Sequence, residues 1–167
     1  MEVGRHSRRS RLRFAGIALP DVDLNRMRWI TRQNVKVDRV ACPWLIRKCI
    51  DPKAEFVFLP HETDWEKIDD GIVFDVPNCE LGHHGEDVSF NSILKKYDLT
   101  DPALTLLGEI VRAADSRPAE PHPAGEGLRW IAHGFAALGL SDHQILEREF
   151  VVYDALYAEC QRRVAYG

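Results

Sequence analysis

The chain has 167 residues, a length typical of one folded domain, and 45% of them are hydrophobic, which is enough to form a core. No apolar run reaches the roughly 18 residues of a membrane span, so the sequence predicts no membrane insertion. The formal net charge is −4, but residues 1–26 hold six Arg and only three acids, which leaves −7 on residues 27–167. A domain this acidic argues against direct binding of nucleic acid.

Residues 1–26 differ in composition from the rest of the chain. An Arg-rich run followed by a short apolar stretch resembles a twin-arginine export signal, but the apolar stretch is too short and no small-x-small cleavage site follows it. We expect a disordered or dispensable extension on a cytoplasmic protein, with export as the alternative. Residues 27–167 then form the folded domain.

Strand patterns dominate the first half of the domain. Short β-branched and aromatic runs predict strands at residues 28–31, 55–59 and 71–76. Apolar residues at helical spacing predict a helix over residues 37–50, with Asp38 as its N-cap.

Helical patterns dominate the second half. Helices are predicted at residues 89–97, 101–114 and 128–138, the first with Ser89 as its N-cap, and residues 116–127 are predicted to form a loop. Ser141 and Gln144 form a capping box that opens a last helix. The order of elements predicts an α+β (or α/β) fold, in which helices from the C-terminal half pack on a small β-sheet from the N-terminal half.

The loop after the third predicted strand concentrates possible metal ligands. Glu80, His83 and His84 lie close together beside two glycines, where a strand ends and before a helix begins. Imidazole and carboxylate suit a divalent zinc, iron or manganese ion. Asp115 falls at the edge of the apolar face of its helix, which makes it our choice for a distant ligand. The alternative is a polar loop in which one histidine caps backbone groups.

A second group of residues suits an oxyanion. Arg32, Arg39 and the start of the helix at Asp38 offer guanidinium groups and free amides, both of which favour tetrahedral anions. Alternatively, Asp38 and Arg39 only cap the helix and pair with each other. Cys42 lies near the same helix start, where the pKa of a thiol can fall, although free cysteines are more often buried packing.

Several motifs in order give the chain a specific resemblance. The runs DRVACPWLI, FDVPNCELGHHGEDVSF, DPALTLLGEIVRAAD and YDALYAEC follow one another as in the chromate-resistance family, in the C-terminal domain of ChrB-type proteins. The resemblance covers about residues 28–163. The positions that match the family pattern are Asp38, Arg39, Cys42, Pro43, Trp44, Asp75, Glu80, His83, His84, Asp115, Tyr153 and Asp154.

The resemblance implies a role in bacterial chromate resistance, often within a chromate-responsive regulator that acts with a chromate efflux pump. Longer members carry an N-terminal regulatory domain, whereas only about 27 residues precede the match in this sequence. The leading hypothesis is therefore a stand-alone domain that binds a metal ion, chromate or a similar small oxyanion. The alternatives are a metal-dependent enzyme with an unknown small substrate, and a sensor or partner module.

Overall fold

The computed structural model describes residues 27–167, so the predictions for residues 1–26 lie outside it. Within the described residues the chain forms a three-stranded sheet and five α-helices. The strands are β1 (Arg28–Arg32), β2 (Glu55–Leu59) and β3 (Ile72–Val73), and the helices are α1 (Val37–Leu45), α2 (Ser89–Lys96), α3 (Pro102–Ser116), α4 (Ala124–Ala137) and α5 (Asp142–Tyr166). The predicted α+β fold is confirmed.

All strand pairs in the sheet are parallel, in the order β2–β1–β3. Ile30 of the central strand pairs with Val57 on one side and Val73 on the other. The chain therefore leaves β1 for β2 on one side, while β3 lies on the opposite side. In open parallel sheets, ligands bind beyond the carboxyl ends of the strands, where the strand order reverses in this way.

Aromatic side chains link the sheet to the helices. Trp29 and Phe74 lie edge to face in the core. Trp44 of α1 is only 2% exposed and packs against Tyr153 and Tyr157 of α5. Its indole nitrogen donates to Asp154 Oδ1 at 3.0 Å. Among residues 27–167, no helix is both long and apolar enough to cross a membrane.

The helix boundaries follow the predictions closely in α3 and α5 but not in α4. Ser141 and Gln144 form the predicted capping box, while α4 begins at Ala124 inside the predicted loop. A Cβ atom on Gly125 would lie 2.5 Å from the Cβ atom of Ala113, so glycine lets α4 pack closely against α3. Tertiary packing thus outweighs the low helix propensity of the glycines.

The N-caps predicted for α1 and α2 are wrong. The N-cap of α1 is Lys36 and that of α2 is Val88, and neither side chain caps its helix. Asp38 lies in the first turn of α1, and its carboxylate accepts hydrogen bonds from the first amides of α2. The acid that we expected to cap its own helix therefore caps a neighbouring one.

Candidate metal and oxyanion site

Asp38 is fixed by three hydrogen bonds in the core. Its Oδ2 accepts from the backbone N–H of Ser89 at 2.7 Å, and its Oδ1 accepts from that of Phe90 at 3.1 Å. The Cys42 thiol donates to Oδ1 at 3.4 Å. The side chain is only 2% exposed, so these donors replace the water that the carboxylate loses on folding.

Asp75 is the second fixed carboxylate, and it lies just beyond β3. Its φ of 49° is left-handed, a conformation that Asp tolerates better than most residues. Oδ1 accepts from the Ser89 hydroxyl at 2.7 Å, and Oδ2 accepts from Arg39 at 3.2 Å. Because each oxygen has a donor of its own, the side chain is locked in one orientation.

His83 approaches these carboxylates from the glycine-flanked loop. Its Nε2 lies 3.3 Å from Asp38 Oδ2, 3.4 Å from Asp75 Oδ1 and 3.4 Å from Asp115 Oδ2. Asp115 comes from the last turn of α3, so three separate parts of the chain bring carboxylates to one imidazole nitrogen. Asp38, Asp75 and His83 each offer a ligand atom within 4.8 Å of the others, which makes them a possible metal triad.

Mutual electrostatics shift the pKa values of this cluster. Hydrogen bonds to Asp38 and Asp75 raise the pKa of His83 to about 10. Burial raises the pKa of Asp115 to about 6, with a further contribution from the charges of Asp38 and Asp75. Burial also raises the pKa of Asp38, because it outweighs the opposing effect of His83. Three carboxylates thus share the imidazole of His83, with the Arg39 guanidinium beside Asp75 as the other cation, and a further cation would relieve their repulsion.

A cavity of about 320 Å³ opens beside the cluster. Its wall also carries five basic side chains, namely Arg32, Lys36, Arg39, Arg117 and Arg129. The Nε atoms of Arg32 and Arg39 are buried and have no hydrogen-bond partner within residues 27–167. Unpaired buried donors are rare in folded proteins, and two of those among residues 27–167 belong to arginines that line the cavity.

A family model described as the ChrB C-terminal domain matches residues 29–160. The chain belongs to the ChrB C-terminal domain family. The protein ChrB of Cupriavidus metallidurans is 35% identical over 130 residues, which cover 77% of this chain and 39% of that relative. The chain thus spans about two fifths of the length of this curated relative. No solved structure matched the chain.

Five of the residues predicted for the site of this ChrB-family domain meet in or beside the cavity. His83 and Asp115 were predicted as metal ligands, and Asp38, Arg32 and Arg39 as anion-binding residues. All five line the cavity. The residues predicted for two separate sites therefore lie together around one cavity, where Asp38 faces the histidine.

The other three predicted residues lie outside this cluster. The Glu80 side chain is 69% exposed and pairs with Lys96, and His84 Nε2 lies 2.8 Å from the backbone oxygen of Glu80. Cys42 is fully buried, and burial together with the charge of Asp38 raises the pKa of its thiol well above the usual value. The thiol therefore stays protonated and acts as a hydrogen-bond donor to Asp38.

Asp75 is the site residue that the sequence prediction omitted. Because β1 and β3 are parallel neighbours, the residues that follow them meet at one edge of the sheet. Asp75 follows β3, and Arg32 is the last residue of β1. The sequence signal was thus an acid at the carboxyl end of a strand, which the concentration of histidines farther along the loop obscured.

Proposed function

We propose that this domain binds a divalent metal ion through Asp38, Asp75, Asp115 and His83, and holds a chromate-like oxyanion beside it with Arg32 and Arg39. The observation that carries the proposal is the convergence of three carboxylates on His83 Nε2, next to a cavity with buried and unpaired guanidinium nitrogens.

The donor set indicates which ions fit. Three carboxylates and one imidazole provide oxygen and nitrogen ligands, which suit manganese, iron or zinc. A soft thiolate is not available from Cys42, because its thiol is buried and protonated. Ser89 and Arg39 hold the carboxylates in place, as outer partners do in known metal centres.

The basic wall provides the complementary half of the site. An oxyanion beside the ion would neutralise metal charge and accept hydrogen bonds from Arg32 and Arg39. Arg39 already donates through Nη1 to Asp75 and through Nη2 to the backbone oxygen of Asn34, whereas its Nε has no partner among residues 27–167. One pocket can therefore hold a metal ion and an anion together.

Membership of the ChrB family supports a role in chromate resistance. Within that role, the domain would bind chromate or a similar small oxyanion in the cytoplasm, in functional linkage with a chromate efflux pump. Binding without turnover would make it a sensor or partner module, whereas turnover of the ligand would make it an enzyme.

Calorimetry of metal-loaded protein with chromate tests the anion half of the proposal. Arg32→Gln should weaken chromate binding by about 10-fold or more, since a charge-assisted hydrogen bond is lost. Arg162→Gln is the matched control, because it removes the same charge from an exposed arginine that pairs with Glu159. The metal content should stay at the wild-type level in both variants.

Two results would refute the anion site. One is wild-type chromate affinity in the Arg32→Gln variant. The other is an equal loss in both variants, which would show that only the overall charge of the protein matters.

A further inference from the structure

A second hollow continues outward from the proposed anion site. It has a volume of about 220 Å³, and its wall includes Trp130 and Glu126 of α4. It shares three lining residues, Arg117, Arg129 and His133, with the inner cavity. The two hollows therefore form one cleft, with the acid–histidine cluster at its inner end and an indole ring at its outer end.

The wall of the outer hollow is held in place by hydrogen bonds. Arg129 is 6% exposed and donates to the backbone oxygens of Ala113 and Ala114, at 2.7 and 2.6 Å. It also donates to Glu126, which in turn accepts from the indole nitrogen of Trp130 at 2.9 Å. This chain of contacts fixes the indole relative to the end of α3, where Asp115 lies.

Trp130 is 75% exposed, although tryptophan is usually largely buried. Its nitrogen is already satisfied by Glu126, so within residues 27–167 the apolar face of the ring is the exposed part of the side chain. A fixed and exposed aromatic face beside an anion site is the arrangement with which proteins stack planar rings.

The volume of the cleft also favours a ligand larger than a bare oxyanion. The inner cavity alone lies in the range of small-molecule pockets, about 300–1,000 Å³. At about 30 Å³ per water molecule, it has room for about ten waters. A bare tetrahedral oxyanion would displace only a few of these and would not reach the outer hollow.

We propose that this cleft also binds a larger ligand, an organic phosphate-like anion that carries a planar aromatic group. The anionic end lies between Arg32, Arg39 and the acid–histidine cluster, and the ring lies against Trp130. The anionic end rests on the proposed function, whereas the aromatic end rests on the outer hollow alone.

Two phosphate monoesters of equal charge provide the test. We would titrate the manganese-loaded chain with 1-naphthyl phosphate and with methyl phosphate, and follow binding by calorimetry. The naphthyl ester should bind about 5- to 100-fold more tightly, the range that one stacked ring contributes. Trp130→Ala should remove this advantage and leave the affinity for methyl phosphate unchanged. Trp130→Phe should keep part of it.

Ile131→Ala is the matched control, since Ile131 is an exposed apolar neighbour on α4 that lines neither hollow. It should preserve the full difference between the two esters. Equal affinities of the two esters for the wild-type chain would overturn the proposal. An advantage of the naphthyl ester that survives in Trp130→Ala would also overturn it, as would the absence of binding by either ester.

The same titrations separate this inference from the proposed function. If the wild-type chain binds metal and binds both esters with equal affinity, the aromatic site is refuted while the metal and anion site stays intact. A naphthyl advantage that depends on Trp130 in a chain that binds no metal would support the aromatic site and refute the metal site.

Discussion

Two regions of the molecule bury carboxylates in opposite ways. At the site, Asp38 is 2% exposed and accepts from two backbone amides, and Asp75 is 6% exposed and accepts from Ser89 and Arg39. In α5, Glu149 is fully buried, and neither of its oxygens has a hydrogen-bond partner among residues 27–167. The residue types are similar, but only the first region supplies donors.

This difference separates a prepared binding site from a single buried acid. A buried carboxylate with fixed donors stays in position and can face a cation at little cost in free energy. A buried carboxylate without donors takes up a proton instead, and burial raises the pKa of Glu149 to about 7. Burial of an acid therefore indicates a metal site only where the surrounding chain holds the oxygens in place.

The largest expected effect is at Asp38. Asp38→Ala leaves the amides of Ser89 and Phe90 without an acceptor in the core and removes the partner of His83. We expect a loss of about 3–5 kcal/mol in the free energy of unfolding. Urea denaturation followed by circular dichroism measures it.

Asp115→Ala is the companion variant for this comparison. The Asp115 side chain is 24% exposed, and its removal also relieves repulsion from Asp38 and Asp75, so the free energy of unfolding should change by less than about 1 kcal/mol. Equal losses in the two variants would show that the hydrogen bonds to Asp38 do not distinguish it from the other acid of the cluster.

The second largest expected effect is a pH-dependent change in stability when Glu149 is replaced. Its pKa in the folded chain, about 7, lies above the ordinary value of 4.5, so the folded protein holds this proton more tightly than the unfolded chain. The resulting stabilisation is complete below about pH 4.5 and is lost as the pH rises through about 7. Glu149→Met should therefore be more stable than the wild type by about 1–3 kcal/mol at pH 8, with a smaller gain at pH 5.

Urea denaturation of the wild type and of Glu149→Met at pH 5 and pH 8 measures this difference in stability. All other titratable groups are common to the two proteins, so their contributions cancel in the comparison. Glu147→Met is the control, since Glu147 is exposed on the same helix and should show no such dependence on pH. A gain for Glu149→Met that is identical at both pH values would mean that Glu149 does not titrate between them.

The sequence predicted most of the fold because its local signals agree with the packing. Pro102 after the N-cap Asp101 marks the start of α3, and the capping box marks the start of α5. The sequence failed at α4, where Gly125 serves close helix packing rather than a loop. That role depends on the distant Ala113, which no local pattern reveals.

The site was predicted in part, for a similar reason. The concentration of histidines and acids in the loop led to His83, and helical spacing led to Asp115. The same local reasoning also selected Glu80, which the structure pairs with Lys96 at the surface. Asp75 was omitted because its role depends on parallel pairing between β1 and β3, which forms only in the folded chain.

The most direct test of the proposed metal site compares two adjacent histidines. His83 faces Asp38 and Asp75, whereas His84 contacts the backbone of Glu80. Both histidines are exposed, but His83→Ala also removes the imidazole that three carboxylates share, so circular dichroism must first show that each variant keeps its fold. The measurement is manganese affinity by calorimetry on folded His83→Ala and His84→Ala variants. The site described above predicts a loss of more than about 10-fold for His83→Ala and wild-type affinity for His84→Ala. Wild-type affinity in His83→Ala, or an equal loss in both variants, would contradict it.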